Sequence, residues 1–436
     1  GMRIHLRTLG CRLNQSEIET MARHFRRQGH EIVDDPALAD QIVVNTCAVT
    51  EDASRASRRL VRGLNRANTA AQITVTGCYA QIAPDQIAVI PGVARVVDNG
   101  AKDQLVTAIT GQTLEPFDLE PITRDTPTHL ARTRAFVKVQ DGCDNACTFC
   151  VTTIARGEGR SRDLNDIIGE IHLLTAMGYQ EAVLTGVHLG SYGQDRGAHA
   201  GLITLVKAIL ADTDIPRLRL SSLEPWDLTP DFFELWHDPR LCPHLHLPLQ
   251  SGCDATLKRM LRKTTQVQFR ALLQAARAAI PDPCITSDVI VGFPGETDEE
   301  FAISEAFIRD LEFAGMHVFR YSKRPGTAAA RMRNHLPEAV KKARSETLIA
   351  LAAEQERRYA ERHVGTERPV VWEHVSGATQ DGFVNVGYTD NYIRVTAIHP
   401  RALTGHLLPA RLADYDPVKQ TARAIPLIET ESEWTT

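Results

Sequence analysis

The sequence contains no apolar run of about 18 residues, so no segment is predicted to cross a membrane as a helix. Positive charge is not in excess either: 49 Lys and Arg stand against 54 Asp and Glu, and the net charge is −5. No overall field would therefore draw the chain to nucleic acid, and any RNA contact must depend on local patches. No secretory signal is recognisable, and an odd number of cysteines, nine, favours metal or catalytic use in a reducing compartment. We therefore expect a cytoplasmic protein.

The length and composition are those of a multidomain globular protein. At about 150 residues per domain, the chain is long enough for two or three domains that each bury a core. Hydrophobic residues make up 43% and charged residues 24%, which is ordinary for this class.

Three cysteines with the spacing C-x3-C-x2-C stand together in the sequence DGCDNACTFC: Cys143, Cys147 and Cys150. Three thiolates on one short loop can bind three irons of a [4Fe–4S] cluster and leave the fourth iron open to a small molecule. Free cysteines and a zinc knuckle are the alternatives, but zinc needs a fourth Cys or His and none is close in the sequence. The spacing favours the cluster.

The first hundred residues repeat a unit in which a strand ends at a cysteine and a helix follows. The predicted strands are 3–9, 41–45 and 73–76, ending beside Cys11, Cys47 and Cys78, and the predicted helices are 16–28 and 54–65. This alternation predicts a parallel α/β sheet, whose strand carboxyl ends gather ligands at one edge. A single buried cysteine is more often a core residue, but three in equivalent positions favour a second cluster.

The rest of the chain divides into three parts. Residues 112–132 are rich in proline and predict a linker between a first domain, 2–111, and a second, 133–363. The second domain has six predicted strands, which indicate a partial (β/α)6 barrel: 136–140, 182–189, 217–223, 244–249, 287–292 and 315–321. It closes with a long helix over 336–363 that begins at Pro337. Short β-prone runs with glycines predict a small all-β barrel over 366–428, followed by a tail, 429–436.

These motifs together resemble the methylthiotransferases of the radical S-adenosylmethionine (SAM) superfamily, over nearly the whole length. The cysteine motifs are LGCRLNQSE, NTCAVT, TGCYAQ and DGCDNACTFC. The downstream motifs are ARGEGRSR (155–162), LTGVHLGSYG (184–193), SSLEP (221–225), HLPLQSG (246–252), DVIVGFPGET (288–297) and YSKRPGTAAA (321–330). The resemblance implies an α/β fold with an N-terminal parallel sheet domain, a central partial radical-SAM barrel and a C-terminal TRAM-like β-barrel.

The residues after the first cysteine separate the branches of this family. A branch that acts on a ribosomal protein has a Gly-Cys-Pro-Lys-Asn pattern, and one that acts on isopentenyl-adenosine in tRNA has Gly-Cys-Gln-Met-Asn. Here the run is Gly10-Cys11-Arg12-Leu13-Asn14. It resembles the branch that methylthiolates N6-threonylcarbamoyladenosine at position 37 of tRNA.

The resemblance also implies cofactors and partners. The cluster on Cys143, Cys147 and Cys150 would pass an electron to SAM, and the resulting radical would take hydrogen from C2 of the adenine. A second [4Fe–4S] cluster on Cys11, Cys47 and Cys78 would carry the inserted sulfur, which another SAM methylates. The implied partners are the tRNA anticodon loop and an electron donor such as a flavodoxin or a ferredoxin, with no membrane.

Several residues are candidates for binding SAM or RNA. The SAM candidates are Phe149, Gly186, His188, Glu224, Gln250, Gly292 and Gly295, with core packing or tight turns as the alternative for Phe149 and the glycines. Arginines at helical spacing, Arg55, Arg58, Arg59, Arg62 and Arg66, form a stripe that is either an RNA contact or a solvated face. Two other basic groups are RNA candidates: Arg156, Arg160 and Arg162, and Lys258, Arg259, Arg262 and Lys263.

The C-terminal segment limits how far the RNA interpretation extends. Residues 366–436 carry six Lys and Arg against nine Asp and Glu, whereas RNA-binding β-barrels usually present positive grooves. This segment could dock a protein substrate instead, which would favour the ribosomal-protein branch. A third hypothesis is a non-catalytic iron–sulfur module that binds RNA or senses redox state, although a structural cluster needs no open iron.

Overall fold

The computed structural model describes residues 1–113 and 133–428. The N-terminal region (2–111) folds into a parallel sheet with the strand order β2-β1-β3-β4-β5. Its strands are β1 (Arg3–Thr8), β2 (Glu31–Ile32), β3 (Gln41–Thr46), β4 (Gln72–Gly77) and β5 (Val93–Val96). Its helices are α1 (Arg12–Arg27), α2 (Glu51–Ala67), α3 (Cys78–Ile82), α4 (Pro84–Ala88) and α5 (Leu105–Thr110).

Helices cover both faces of this sheet because the apolar residues of its central strand alternate. Ile42 and Val44 pack with α2, whereas Val43, between them, packs with α1 and α5 on the opposite face. The three predicted strands are confirmed as β1, β3 and β4. The edge strands β2 and β5 add two and four residues to the sheet.

The core (133–363) contains six parallel strands that follow one another in chain order, which confirms the predicted partial barrel. These strands are β6 (Arg134–Lys138), β9 (Glu181–Thr185), β10 (Arg217–Leu220), β11 (His244–His246), β12 (Cys284–Val291) and β13 (Gly315–Arg320). In the described part of the chain, two isolated parallel bridges, Leu218 with Leu241 and Ser222 with His246, join the segments of β10 and β11. A short antiparallel ribbon, β7 (Gln140–Asp141) and β8 (Arg160–Ser161), flanks the first cysteine loop.

Helices surround the barrel: α6 (Thr152–Arg156), α7 (Leu164–Ala176), α8 (Gly201–Asp212), α9 (Asp254–Arg259), α10 (Gln266–Ala279), α11 (Asp298–Leu311) and α12 (Glu338–Arg362). Thr297 caps α11 in a capping box with Glu300, which explains its sharp start after the glycine-rich turn. Within the two described ranges, no helix is long and apolar enough to cross a membrane.

The N-terminal region spans the opening of the incomplete barrel from one edge to the other. At the β6 edge, Ser16 Oγ on α1 donates to Phe136 O at 2.8 Å. Just past the β13 edge, Arg324 donates to Glu51 Oε2 at 3.3 Å and to Ser54 Oγ at 3.1 Å at the start of α2. An exposed sheet edge is a pairing hazard, and here the neighbouring region covers it.

The C-terminal segment forms a closed five-stranded barrel, as the sequence predicts. Its strands are β14 (Glu367–Thr379), β15 (Gly382–Thr389), β16 (Arg394–His399), β17 (Leu407–Asp416) and β18 (Thr421–Pro426), in the closed order β14-β15-β16-β18-β17. Trp372 is fully buried at its centre. Most of the predicted linker (114–132) and the whole predicted tail (429–436) lie outside the described residues.

Candidate active site

The first cysteine triad lies on the loop that follows β7, at the carboxyl end of the first barrel strand. Each of its three sulfurs accepts a hydrogen bond. The backbone amide of Asn145 donates to Cys143 Sγ and that of Thr152 to Cys150 Sγ, both at 3.4 Å, and Arg262 Nη1 donates to the third sulfur at 3.6 Å. Donors of this kind stabilise thiolate negative charge and tune cluster potential. The loop therefore fits a thiolate-ligated cluster.

Contacts with the far side of the barrel fix the position of this loop. The backbone amide of Thr148 donates to Met260 O at 3.0 Å, and its hydroxyl donates to Arg259 O at 2.9 Å. The Thr148 carbonyl accepts from Ala329 N at 2.8 Å. One threonine thus connects the first barrel strand's loop to segments more than 100 residues away.

The second triad comes together at the carboxyl edge of the N-terminal sheet, from three different strand ends. Cys11 precedes α1, Cys47 follows β3 and Cys78 begins α3. Burial, together with the neighbouring thiols of the triad, raises the pKa of Cys47 to about 11. Gly10 has φ of +100°, and a Cβ there would lie 2.8 Å from the Cys47 sulfur, so only glycine leaves the triad room.

Neither triad has the geometry of a single-ion site. Across residues 1–113 and 133–428, no three Cys, His, Asp or Glu side chains converge as the ligands of one metal ion would. A cluster makes a different demand, because each thiolate binds a different iron. Each triad supplies three thiols, which is the ligand chemistry of a [4Fe–4S] cluster with one open iron. The other cysteines, Cys242, Cys253 and Cys284, are buried, and their positions in the sequence match no ligand spacing.

Arg156, on the short helix directly after the first loop, is buried between the segments that carry the triads. Its Nη1 donates to Glu17 Oε1 at 2.9 Å and to Asp141 Oδ1 at 3.2 Å, and its Nη2 donates to Asn14 Oδ1 at 2.7 Å. Asp141 precedes the first loop, whereas Asn14 and Glu17 lie near the start of α1. A single guanidinium thus connects the two cysteine-bearing segments.

Glu17 is the central acceptor of this buried network. Its carboxylate accepts hydrogen bonds from Lys102 Nζ at 2.8 Å, Asn45 Nδ2 at 3.0 Å and Lys138 Nζ at 3.4 Å. Burial alone would raise the pKa of Glu17, but the charges of Lys102 and Arg156 hold it well below its usual range. The carboxylate stays ionised, and the buried cations have a partner.

His188, a predicted SAM contact, lies against the first cysteine loop. Its Nδ1 lies 3.3 Å from Asn145 Nδ2, and its Nε2 hydrogen-bonds Asp227 Oδ2 at 2.5 Å. Burial lowers the pKa of His188, but hydrogen bonds to Asp227 and to the Cys143 sulfur raise it to about 10. The ring therefore lies between the first cysteine loop, which faces its Nδ1, and Asp227, which binds its Nε2.

The two predicted polar contacts of SAM differ in their availability. Glu224 Oε2 accepts from Arg262 Nη2 at 2.7 Å and is already paired. Gln250 has φ of +71°, and its Oε1 is buried without a hydrogen-bond partner in the described chain. An orphaned buried acceptor is a position that a ligand's donor can satisfy. Gln250 is thus the better candidate.

The remaining SAM candidates have packing reasons of their own. Phe149 packs against a small hydrophobic cluster of the core. A Cβ at Gly186 would lie 2.8 Å from a side-chain oxygen on β7. At Gly292, which has φ of +72°, a Cβ would lie 2.2 Å from Lys341 Cγ on α12, and Gly295 has φ of +80°. Tight turns and close packing are sufficient to explain these glycines. Their contact with SAM therefore stays a proposal.

The arginine stripe of α2 is exposed and forms a continuous surface. Five side chains line one groove along the helix: Arg55, Arg58, Arg59, Arg62 and Arg66. Arg58 Nη1 donates to Tyr79 OH at 2.7 Å, and Arg55 makes only a long ion pair with Asp52, at 3.8 Å. Within the described residues, Arg59 and Arg62 make no ion pair. Their charge is available to an external anion.

Two predicted RNA contacts need correction. Arg156 and Arg262 are 5% and 7% exposed, and their guanidinium groups bind internal carboxylates, Pro248 O and the Cys147 sulfur. Buried cations with these partners do not fit a contact with phosphate. A sequence pattern does not separate them from surface arginines, because the carboxylates they neutralise are distant in the chain.

The other basic candidates remain at or near the surface. Arg160 is half-exposed and Lys258 is exposed. Arg162 and Arg259 each pair with a glutamate, at 2.7 and 2.6 Å. Lys263 donates to Asn145 Oδ1 at 3.1 Å beside the first cysteine loop. Arg160 and Lys258 are thus the best placed of this set for RNA.

Sequence reasoning misses the carboxylates that organise the site, Glu17 and Asp227. A signal for Glu17 was present, because it falls between Leu13 and Met21 on the buried stripe of α1, where a charged residue is out of place. Asp227 carries no such signal. Its partner His188 is 39 residues away, and only the fold brings them together.

Two family models match the chain. The model described as "Uncharacterized protein family UPF0004" covers residues 3–98, and the Radical SAM superfamily model covers residues 137–308. In fold, the chain is similar to a radical S-adenosylmethionine methyltransferase from Kitasatospora setae, solved with cobalamin and a [4Fe-4S] cluster. The TM-score is 0.56 at 15% identity, over 85% of this chain and 80% of that one.

Curated relatives extend over nearly the whole length. The threonylcarbamoyladenosine tRNA methylthiotransferase MtaB of Bacillus subtilis is 38% identical over 93% of this chain and 92% of its own. The protein of the same name from Thermotoga maritima is 37% identical over 90% of each chain. A tRNA-2-methylthio-N(6)-dimethylallyladenosine synthase from Geobacillus thermodenitrificans is 33% identical over 94% of this chain and 81% of its own. The chain therefore belongs to the radical-SAM methylthiotransferase family, and within it most resembles the threonylcarbamoyladenosine tRNA methylthiotransferases.

Proposed function

We propose that this enzyme inserts a methylthio group at C2 of N6-threonylcarbamoyladenosine at position 37 of tRNA. The observation that carries the proposal is the pair of cysteine triads, on segments that one buried arginine, Arg156, connects. A single redox or structural cluster would need neither a second triad nor this connection. The named relatives support the same activity over nearly the full length.

We assign the two [4Fe–4S] clusters to the two triads, the first to Cys143, Cys147 and Cys150 and the second to Cys11, Cys47 and Cys78. When bound, the clusters and SAM supply the one-electron chemistry, the sulfur and the methyl group of the reaction. The chain's own residues position these groups. His188 and Asp227 hold the first loop, the donors around it stabilise thiolate charge, and Gln250 offers an unpaired acceptor to SAM.

We assign the tRNA backbone to the arginine groove of α2. Arg55 belongs both to this groove and to a larger cleft between the N-terminal region and the core, which Arg320 and Lys323 also line. A phosphate chain can lie along the α2 groove, whose five lining residues are all arginines, whereas the cleft also carries carboxylates such as Glu51, Asp52 and Glu338. The C-terminal barrel offers less, since Arg368 and Arg411 pair with neighbouring carboxylates at 2.9 and 2.8 Å.

Reduction of the first cluster requires an electron donor, and a flavodoxin or a ferredoxin is of the right chemical class. A tRNA substrate and a low-potential reductant both favour the cytoplasm. We also propose the predicted division into 2–111, 133–363 and 366–428 as the domains.

The test is mass spectrometry of tRNA nucleosides from cells that lack the gene. Loss of 2-methylthio-N6-threonylcarbamoyladenosine, with accumulation of its unmethylthiolated precursor, is expected. Complementation with Cys147→Ala should fail, whereas Cys253→Ala, a buried cysteine outside both triads, should restore the nucleoside. Persistence of the nucleoside in the deletion strain would overturn the assignment. Loss of methylthiolated isopentenyl-adenosine, or of the same mass addition on a ribosomal protein, would move the enzyme to another branch.

A further inference from the structure

Three parts of the chain meet at the amino end of the core barrel, around Tyr392. This residue lies in the turn between β15 and β16 and has φ of +65°. Its ring stacks on His244, the first residue of β11, with centroids 4.7 Å apart, and on Tyr388 at 5.1 Å. From the N-terminal region, Arg12 Nη2 donates to the Tyr392 hydroxyl at 2.7 Å. The N-terminal region, core and C-terminal barrel thus share one junction.

Positive charge is in excess at this junction. Its four arginines are Arg12, Arg134, Arg217 and Arg219. Only two carboxylates in the described chain form ion pairs with them. Glu181 pairs with Arg134, Arg217 and Arg219, at 3.8, 2.7 and 2.8 Å, and Glu373 also pairs with Arg134. Arg12 has no ion pair in the described chain. Four guanidinium groups with two counter-charges leave a net positive charge that a further anion would neutralise.

Unpaired donors at the same place point to a missing acceptor. Within the described chain, Arg134 Nη1 has only the Glu181 carboxylate, 3.8 Å away, and Arg219 Nη1 is buried without a hydrogen-bond partner; the two residues are 8% and 0% exposed. Both guanidinium carbons lie over the Tyr392 ring, at 5.7 and 4.7 Å from its centroid. Orphaned buried donors are rare in proteins and call for an explanation such as a ligand.

Arg12 is the member of this group that a ligand can reach. It is half-buried, its guanidinium lies 5.2 Å from the Tyr392 centroid, and its bond to that hydroxyl uses one of its five donors. Arg12 also directly follows Cys11, a member of the second triad.

We propose that Arg12 and Tyr392 bind the carboxylate of the threonylcarbamoyl group on the substrate base, and that Arg12 determines specificity for that group. The inference rests on the proposed function, since it takes N6-threonylcarbamoyladenosine as the substrate. A planar guanidinium matches a carboxylate with two parallel hydrogen bonds. Adenosine and isopentenyl-adenosine carry no carboxylate at N6, so this contact separates them from the proposed substrate.

The experiment compares two tRNAs that are identical except for position 37, one with N6-threonylcarbamoyladenosine and one with adenosine. Equilibrium binding to the cluster-reconstituted enzyme gives a dissociation constant for each. Wild type should prefer the modified tRNA, and Arg12→Gln should weaken its binding roughly tenfold or more while binding of the adenosine tRNA stays constant. Arg12→Lys keeps the positive charge but loses the planar guanidinium. Its dissociation constant for the modified tRNA should therefore lie between those of wild type and Arg12→Gln.

Two further variants keep the test interpretable. Tyr392→Phe retains the stacked ring and removes only the hydroxyl, so it should weaken binding of the modified tRNA less than Arg12→Gln does. Arg357→Gln, an exposed arginine of α12, should change neither constant. Iron content and the thermal unfolding midpoint verify that each variant is folded and loaded.

The outcomes separate this inference from the proposed function. The carboxylate assignment is overturned if Arg12→Gln keeps the wild-type preference for the modified tRNA, or if it weakens binding of both tRNAs equally. If wild type methylthiolates the modified tRNA without preferring it in binding, the proposed function stands and the inference fails. If wild type does not methylthiolate that tRNA under any condition that supports turnover of another substrate, the proposed function itself fails.

Discussion

Arg156 connects the two cysteine-bearing segments of the candidate active site. Its side chain is 2% exposed and binds Glu17 and Asp141. Arg156→Met would leave these carboxylates buried without their partner, which typically costs about 3–5 kcal/mol. We expect a marked fall in the thermal unfolding midpoint and loss of methylthiolation.

The neighbouring Arg160 supplies the control for this prediction. It is 53% exposed and reaches Asp141 only at 3.4 Å, so Arg160→Met should change stability by less than about 0.5 kcal/mol. Equal destabilisation by the two substitutions would contradict the role assigned to the Arg156 network. Iron analysis of both variants shows whether either triad loses its cluster.

At the residue scale, sequence reasoning identifies ligands better than it identifies their supports. Cys143, Cys147 and Cys150 are recognisable as candidate cluster ligands because metal ligands on one loop keep a fixed spacing. Arg262, which donates to one of these sulfurs, stands more than 100 residues later among other basic residues. Nothing local distinguishes it from Lys258, which is exposed. The difference arises only when the barrel closes.

The exposed face of α2 makes a prediction about ionic strength. If its arginines lie along phosphates, Arg59→Gln and Arg62→Gln should each weaken tRNA binding and lower the slope of log K against log salt concentration by about 1. Measuring the dissociation constant over a series of salt concentrations tests this. Arg358→Gln, an exposed arginine of α12 paired with Glu354, should leave the slope unchanged. An unchanged slope in the α2 variants would make the stripe a solvated face.

The strand β9 begins with a carboxylate, Glu181, that holds three strands together at the amino end of the barrel. Burial would raise its pKa, but Arg219, Arg217 and Arg134 hold the pKa far below the usual range. Because the folded-state pKa is depressed, its contribution to stability is fully present above the unfolded value of about 4.3 and is lost as pH falls below it.

This linkage predicts the pH dependence of a substitution. Glu181→Gln should destabilise the protein by about 3–5 kcal/mol at neutral pH, and the difference from wild type should shrink as the pH is lowered below about 4. Denaturant unfolding at several pH values measures it. Glu346→Gln on the exposed face of α12 is the matched control and should show no such trend. A difference that stays constant over this range would show that Glu181 is not ionised in the folded state.

At the scale of elements, sequence patterns locate strands better than strand ends. The predicted strand 182–189 ends at Thr185 in the structure, because Gly186 turns away and residues Leu189–Ser191 form a 3-10 turn. Its apolar residues continue past the strand since they pack on the same core. In the C-terminal barrel, β18 has a weak apolar signal because two of its buried residues, Ala422 and Ala424, are small.

The attachment of the N-terminal region at two edges predicts how the whole molecule opens. Arg324 is 4% exposed and holds the start of α2. Arg324→Met should raise amide hydrogen exchange over 51–57 by about tenfold, the effect of losing one charge-assisted hydrogen bond, while β6 and α1 remain protected. Arg331→Met, on an exposed turn, is the control. Uniform loss of protection across both edges would show that the region opens as a single unit.

The overall architecture could be predicted because each region has its own period and its own motif. The arrangement of the regions could not, since it depends on contacts such as Arg12 with Tyr392, 380 residues apart. No composition or spacing reports a contact at that separation. The C-terminal barrel is an example: its sequence raises a question about RNA, whereas the structure shows its Tyr392 stacked on His244, the first residue of β11.

The cover that α1 gives to β6 also has a consequence for synthesis. The ribosome releases the N-terminal region first, so α1 and its sheet can fold before the first barrel strand emerges. When β6 appears, the surface that protects its open edge is already formed beside it. A gene rearranged to place the N-terminal region last would expose that edge for the whole time of translation, and we expect such a permuted chain to aggregate during expression where the natural order does not.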